Sequence, residues 1–149
     1  MNQASPYAAF IACVFAVMFL TIAGCGPRRP ETVAVQGRVL FDGQPPPKEG
    51  MVYFAPLEPA EGFPRRPGRA EFDAQGKFRA TTFDGGDGLI PGRYRVGIDC
   101  WEILPQADGP PAKSLVPAAY REPATSGLEL VVEPGARSMT VEFDVVAAP

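Results

Sequence analysis

Residues 93–101 alternate between apolar and polar side chains at every second position. Because successive side chains of a β-strand point to opposite faces of its sheet, this period of two predicts a strand with one buried face. Each fully buried apolar side chain contributes roughly 1.5–3 kcal/mol, so we expect this strand at the centre of a sheet. The predicted buried residues are Tyr94, Val96, Ile98 and Cys100, and the predicted outer residues are Arg93, Arg95 and Asp99.

Six further segments show the same short, turn-separated pattern, and no long segment has the period of a helix. The seven predicted strands cover residues 33–41, 51–54, 69–73, 77–82, 93–101, 128–133 and 139–145. The chain has 16 glycines and 18 prolines. Two proline-rich stretches, residues 56–68 and 105–127, are predicted to be loops. Pro56 is expected to end the second strand, and residues 133–136 to form the turn between the last two. The sequence predicts an all-β domain, a single seven-stranded antiparallel β-sandwich over residues 33–146.

An uncharged apolar run precedes this domain. It covers residues 7–22 and is followed by two small residues and Cys25, and every charged residue of the chain lies after Cys25. An apolar segment that ends in small residues is typical of an export signal. No lysine or arginine precedes the run, whereas two arginines follow it, so the alternative is an uncleaved single-span anchor. Both interpretations place the domain outside the cytoplasm.

Residues 20–25, LTIAGC, resemble the bacterial lipobox, in which an aliphatic residue and two small residues precede a cysteine. The resemblance implies diacylglycerol on the Cys25 thiol, cleavage between Gly24 and Cys25, and acylation of the freed amine with a fatty acid such as palmitate. The implied parts of the chain are a lipoprotein signal peptide (residues 1–24), a tether (25–32) and the folded domain (33–146). The membrane is then a partner through the lipid on Cys25, and the location is the cell envelope, at the inner or the outer membrane.

Histidine is absent from all 149 residues. Its absence excludes a Ser-His-Asp triad, a Cys-His pair and the usual catalytic zinc sites, so we expect no enzyme, no catalytic residues and no cofactor. Removal of residues 1–24 and modification of Cys25 would leave Cys100 as the one free thiol. We therefore expect no internal disulfide and a buried, apolar Cys100. The formal net charge of −3 gives no reason to expect nucleic acid as a partner.

Several short motifs, in their order and spacing, resemble the carboxypeptidase regulatory-like family. They are VQGRV (35–39), DGQP (42–45), GMVYF (50–54), GKF (76–78) and LIPGRYRV (89–96). VPAAY (116–120) and TSGL (125–128) resemble small bacterial lipoproteins that carry this domain. The resemblance implies a transthyretin-like (prealbumin-like) sandwich outside the cytoplasm that acts as a non-catalytic module. A hydroxyisourate-hydrolysing family shares this fold, but its chemistry depends on histidines, which this chain lacks.

Two groups of charged residues are candidates for binding. Asp84 and Asp87, in a glycine-rich loop, offer oxygen ligands for calcium, but their spacing lacks the pattern of a strong calcium loop, and a plain turn is favoured. Arg65, Arg66 and Arg69 could bind an anionic polysaccharide or a lipid headgroup. The simpler interpretation of the arginines is a solvated group of loop charges.

Aromatic and hydroxyl side chains are further candidates. Trp101 and Tyr120 could stack on a sugar or peptide, although packing on the sheet is favoured for both. Ser114 and Ser126 have no histidine partner, so nucleophilic catalysis would need Lys113 or a carboxylate as the base.

Together these observations predict a lipid-anchored extracytoplasmic protein whose sandwich is a non-catalytic binding or structural module of the cell envelope. The expected partner, besides the membrane, is an envelope protein or a glycan. The alternative is a carrier or binder of a small ligand such as a glycan or peptide.

Overall fold

The computed structural model describes residues 29–148, which form one curled, mixed β-sheet and a single turn of helix. The strands are β1 (Ala34–Phe41), β2 (Gly50–Pro59), β3 (Gly68–Phe72), β4 (Lys77–Arg79), β5 (Gly92–Ile103), β6 (Lys113–Ser114), β7 (Glu129–Val132) and β8 (Ser138–Val145), and the helix is α1 (Ala118–Arg121). The predicted all-β class is confirmed. No helix between residues 29 and 148 combines the length and apolarity needed to cross a membrane. Gly24 and Cys25, the predicted cleavage and lipidation site, lie outside the described residues.

The strand β5 lies inside the sheet, where the alternation of its sequence predicts it. β2 pairs with it antiparallel along one side. On its other side β7 pairs with the first four residues, and β6 pairs with Trp101 and Ile103. The four residues predicted to face inward are buried, and Cys100 is 0% exposed. The sequence therefore placed the central strand and its buried face correctly.

The order of strands explains why the sheet curls. From one edge to the other it runs β6-β5-β2-β3-β4-β1-β8, with β7 beside β6 on β5. β7 and β8 thus lie at opposite ends of the sheet, about 29 Å apart if the sheet were flat. Residues 133–137 alone connect them, and a connection of this length reaches at most about 20 Å. The short connection can join these strands only if the sheet bends until its ends approach one another.

This connection also corrects the predicted antiparallel arrangement. Residues 133–136 form a turn, but it does not join a hairpin, because β7 pairs with β5 while β8 pairs with β1. β8 runs parallel to β1 in register from Ala34↔Ser138 to Phe41↔Val145. Residues 29–148 therefore contain eight strands and one parallel pair, where the sequence predicts seven antiparallel strands.

Two local differences have simple causes. β2 continues through Pro56 to Pro59. β3 pairs with β2 only as far as Phe54, so the later part of β2 has β5 as its one neighbour and forms an edge of the sheet. Prolines are tolerated at such edges and at bulges, and the register shifts between Pro56 and Glu58. The predicted second loop also contains β6 and α1, elements of two and four residues that are too short to produce a periodic pattern.

Four aromatic side chains fill the centre of the core between the two halves of the curled sheet. Phe78 of β4 stacks on Phe143 of β8, with ring centroids 6.0 Å apart and planes at 11°. Phe54 of β2 packs against both rings and against the edge of Tyr94 on β5. These contacts join strands from both ends of the sheet into one core.

Tyr94 adds a polar interaction to this core. Its hydroxyl donates a hydrogen bond of 2.6 Å to the carbonyl oxygen of Ile90, and both residues are buried. Burial raises the pKa of Tyr94 to about 12. The hydroxyl therefore stays protonated, and stays a donor, through the physiological pH range.

Replacing Tyr94 with phenylalanine should lower the free energy of unfolding by about 1–3 kcal/mol, because the buried carbonyl of Ile90 loses its partner. Urea denaturation of residues 26–149 measures the change. Tyr120→Phe is the control. It also removes a tyrosine hydroxyl, but this hydroxyl forms no hydrogen bond with residues 29–148, so the free energy of unfolding should change little. Equal losses in both variants would contradict the proposed importance of the Tyr94 bond.

Candidate binding site

A group of polar and aromatic side chains lies on the outer face of β2 and β5, opposite the core. It consists of Tyr53, Asp99, Trp101 and Arg121, and we call it the outer-face cluster. Asp99 and Trp101 are two positions apart on β5 and therefore share a face. Tyr53 stands on β2 directly opposite Gly97.

Because Gly97 has no side chain, Arg121 can lie close to the other three residues of the cluster. Residues 121–123, at the end of α1, cross the sheet at this glycine. A Cβ atom on Gly97 would lie 2.9 Å from the carbonyl oxygen of Arg121 and 2.9 Å from the ring of Pro123. Any larger residue would push this segment away. Gly97 thus permits the close approach that carries Arg121 over the ring of Trp101.

The Arg121 guanidinium is positioned by stacking. Its central carbon lies 4.8 Å from the centroid of the Trp101 ring, a cation–π distance. Its Nε is buried and, within residues 29–148, is the one buried side-chain nitrogen or oxygen without a hydrogen-bond partner. In the same part of the chain the guanidinium forms no direct ion pair. The arrangement therefore holds a cation in place and leaves its donors without a protein acceptor.

Asp99 is a half-buried carboxylate beside these donors. Burial is the largest influence and raises its pKa, and the charge of Glu122 raises it slightly further. The indole N–H of Trp101, the charge of Arg121 and the hydroxyl of Tyr53 lower its pKa. These groups lie near the carboxylate, but no residue from 29 to 148 donates to it a hydrogen bond of the usual length and angle. Asp99 therefore carries a partly desolvated charge that its neighbours compensate incompletely.

Tyr53 is the most accessible member of the cluster, with 37% of its surface exposed. Its pKa is raised by burial first, and then by the charge of Asp99 and the closeness of the hydroxyl to that carboxylate. The nearby Arg69 has the opposite effect. The hydroxyl therefore remains a neutral donor beside Asp99, while the ring offers an apolar surface to solvent.

A shallow groove continues from the cluster across the sheet. It has a volume of about 440 Å³ and is lined by Met51, Arg69, Ala70, Glu71, Arg79, Thr81, Gly85 and Gly86. Met51 pairs with Asp99, and Arg69 pairs with Tyr53, so cluster and groove share adjacent positions on neighbouring strands. They form one open surface across β5, β2 and β3.

The acidic loop residues have other partners. The Asp87 carboxylate accepts hydrogen bonds from the backbone N–H groups of Thr82 (2.8 Å) and Phe83 (3.1 Å). These bonds stabilise the conformation of its own loop. Asp84 forms an ion pair with Arg29 at 2.5 Å. No group of three or more potential metal-ligating side chains occurs between residues 29 and 148. In this structure Asp87 therefore holds its own loop, and Asp84 pairs with Arg29.

The three candidate arginines do not form one group. Arg65 donates a hydrogen bond of 2.6 Å to the carbonyl oxygen of Leu57. The Arg66 guanidinium lies 5.4 Å from the centroid of the Phe83 ring. Arg69 lies apart from them on β3, beside Tyr53 and in the groove.

The remaining candidates have structural partners. Ser114 donates to the carbonyl oxygen of Val116 and Ser126 donates to that of Pro123, as turn residues do. Lys113 pairs with Glu102 at 2.6 Å, which lowers the pKa of that carboxyl. Tyr120 is half-buried against the core. In the described part of the chain, neither serine has an activating base.

Sequence reasoning identified Trp101 but not its neighbours. The alternation in residues 93–101 placed Asp99 on the outer face, and the same spacing would put Trp101 beside it. Tyr53 and Arg121 come from distant parts of the chain, and no local pattern connects them with β5. Only the pairing of β2 with β5 and the close approach at Gly97 bring them together.

No model of a known protein family matches the chain, and a search of curated proteins finds no match either. Among solved structures, the chain is similar to a 9R-lipoxygenase from Cyanothece PCC8801, with 10% sequence identity and a TM-score of 0.40. The similar region covers 91% of this chain but only 20% of the lipoxygenase. A likeness of this size carries no information about chemistry or function.

The Asp99→Asn variant should be more stable than the wild type at pH 7, because it removes a charge that burial disfavours. The folded-state pKa of Asp99 is raised, so the folded chain takes up a proton first as the pH falls. The advantage of the variant should therefore shrink on acidification and vanish below the ordinary carboxyl pKa of 3.8. Urea denaturation across this pH range measures it.

Asp108→Asn, in an exposed loop, is the matched control and should show no such difference. An Asp99→Asn variant less stable than the wild type at pH 7 would show that the neighbouring donors outweigh the desolvation of the carboxylate.

Proposed function

We propose that this chain is a lipid-anchored, extracytoplasmic β-protein and a non-catalytic binding or structural module of the cell envelope. The observation that carries the proposal is the LTIAGC sequence, which ends an uncharged apolar run and is followed at once by a polar segment. Cys25 is the proposed lipid attachment site and Gly24–Cys25 the proposed cleavage site. Arg29, four residues after Cys25, pairs with Asp84 of the folded domain, so the proposed tether is short.

We further propose that the curled sheet is a divergent transthyretin-like sandwich of the kind found in carboxypeptidase regulatory-like modules. The motifs that resemble this family coincide with structural elements. Residues 35–39 lie in β1, 50–54 in β2, and 92–96 in β5. Gly76, in the GKF motif, has a φ of +78° in the turn between β3 and β4, and a Cβ there would lie 2.0 Å from the carbonyl oxygen of Val39.

A non-catalytic role is supported by the lack of histidine and by the bonding of the candidate nucleophiles. Ser114 and Ser126 hold turns. The Cys100 thiol is fully buried, and burial raises its pKa, which disfavours the reactive thiolate.

A second candidate function is that of a binder of a small ligand such as a glycan or peptide. The outer-face cluster favours it, because a titratable group perturbed by burial, such as Asp99, is a candidate for a functional site. The cluster also places the exposed ring of Tyr53 beside a hydrogen-bond acceptor, Asp99, and a donor, Arg69.

Cys25→Ser should abolish lipid attachment and leave a precursor that retains residues 1–24. A single acyl chain binds a membrane only reversibly, whereas each further buried methylene adds about 0.8 kcal/mol, so a diacylglycerol group should anchor the chain stably. Intact mass spectrometry of the membrane fraction, with metabolic labelling by a fatty acid, measures both changes.

Cys13→Ser provides a matched control, since Cys13 lies inside the same apolar run but is not preceded by the motif. It should leave lipid mass and processing unchanged. Wild-type protein that keeps Met1 to Gly24, with no lipid mass on Cys25, would establish the uncleaved anchor instead.

A further inference from the structure

Charges of both signs are interspersed on the outer-face cluster and its groove. Asp99 and Glu71 lie among Arg121, Arg69 and Arg79, with Glu122 next to Arg121, and with Arg95 on the same face of β5. A surface of mixed sign has no general preference for a cation or an anion. It favours a neutral ligand that has its own hydrogen-bond donors and acceptors.

Within the cluster, an acceptor and a donor are held close together without being paired directly. Asp99 offers carboxylate oxygens. The Nε of Arg121 is buried, but its two Nη groups form no hydrogen bond or ion pair within residues 29–148 and offer donors. A hydroxyl group can both donate and accept a hydrogen bond. Two neighbouring hydroxyls of one ligand could therefore satisfy Asp99 and Arg121 together, with charge-assisted hydrogen bonds to both.

The position of the surface distinguishes a saccharide from an extended peptide. A peptide that binds by strand addition needs the free backbone groups of a sheet edge. Around the cluster, β2 is paired on both sides, with β3 and β5. Only side chains are available on this face, and the exposed ring of Tyr53 offers an apolar surface on which the C–H groups of a sugar ring can pack.

The surface is also elongated. From Asp99 on β5, across Met51 on β2, to Glu71 on β3, the side chains stand on three adjacent strands. Two strand spacings amount to about 10 Å. We propose that the outer-face cluster and its groove bind a neutral saccharide chain lying across β5, β2 and β3. This inference rests on the proposed function, in which the domain is a binding module.

Trp101 allows a direct test, because it is the one tryptophan of the chain and belongs to the cluster. Its fluorescence reports binding at this site without a label. The full-length lipidated protein should be titrated in a detergent that has no sugar headgroup. The neutral probes are cellohexaose, maltohexaose and chitohexaose, and the charged probes are hexagalacturonate and a glucosamine hexamer.

We expect a saturable change in Trp101 emission with at least one neutral hexamer at up to millimolar concentration, and weaker binding of both charged hexamers. Tyr53→Ala and Asp99→Asn should each weaken this binding at least tenfold. Asp108→Asn and Arg38→Ala, the latter on the outer face of β1, should bind as the wild type does. Thermal unfolding checks that each variant is folded, and if Asp99→Asn does not fold, the exposed Tyr53→Ala decides.

The inference is overturned if no neutral hexamer gives a saturable change, or if Tyr53→Ala binds as the wild type does. It is also overturned if a charged hexamer binds more tightly than every neutral one. If the cluster only fastens residues 121–123 to the sheet, Tyr53→Ala lowers the unfolding temperature but no hexamer gives a saturable change, and the inference is overturned.

Intact mass of the same preparation separates this test from that of the proposed function. Lipid on Cys25 without saccharide binding overturns the saccharide inference alone. Saccharide binding without lipid on Cys25 overturns the anchor alone.

Discussion

The packing of Phe54 against Phe143 and Phe78, which stack on each other, holds the two halves of the curled sheet together. Strands β4 and β8 supply the stacked pair, and β2 supplies the third ring. The five-residue connection from β7 to β8 brings these rings within reach, and their burial then keeps the sheet bent. β2 links this core to the outer-face cluster, because it presents Phe54 to the core and Tyr53 to the opposite face.

The sequence was informative wherever structure depends on local alternation. It located β1, β3, β7 and β8 to within one residue and β5 to within two, and the inward positions of β5 correctly, because a half-buried strand needs an apolar residue at every second position. It did not show that β1 and β8 run parallel, since pairing between distant strands leaves no local pattern. Pro56 was misleading, because the effect of a proline depends on whether a strand lies beside it.

The candidate site illustrates the same limit. Asp99 and Trp101 could be assigned to one face from their spacing alone. Arg121 could not be assigned, because its position follows from the approach of its segment to Gly97, a contact between distant parts of the chain. Asp84 and Asp87 suggested calcium because carboxylates in a glycine-rich loop suit that ion. The structure shows the simpler use, in which one carboxylate binds backbone N–H groups and the other binds Arg29.

The pairing of β1 with β8 has a consequence for the order of folding. Ala34 pairs with Ser138, and the other pairs of this ladder are equally remote in sequence. Closing so long a loop costs entropy before the new contacts compensate for it, so we expect this ladder to form late. The edge of β1 that pairs with β8 therefore stays free until the much later residues of β8 have been synthesised. During synthesis, the strand nearest the proposed tether thus has only β4 available as a neighbour, and it exposes unpaired backbone groups along its other edge.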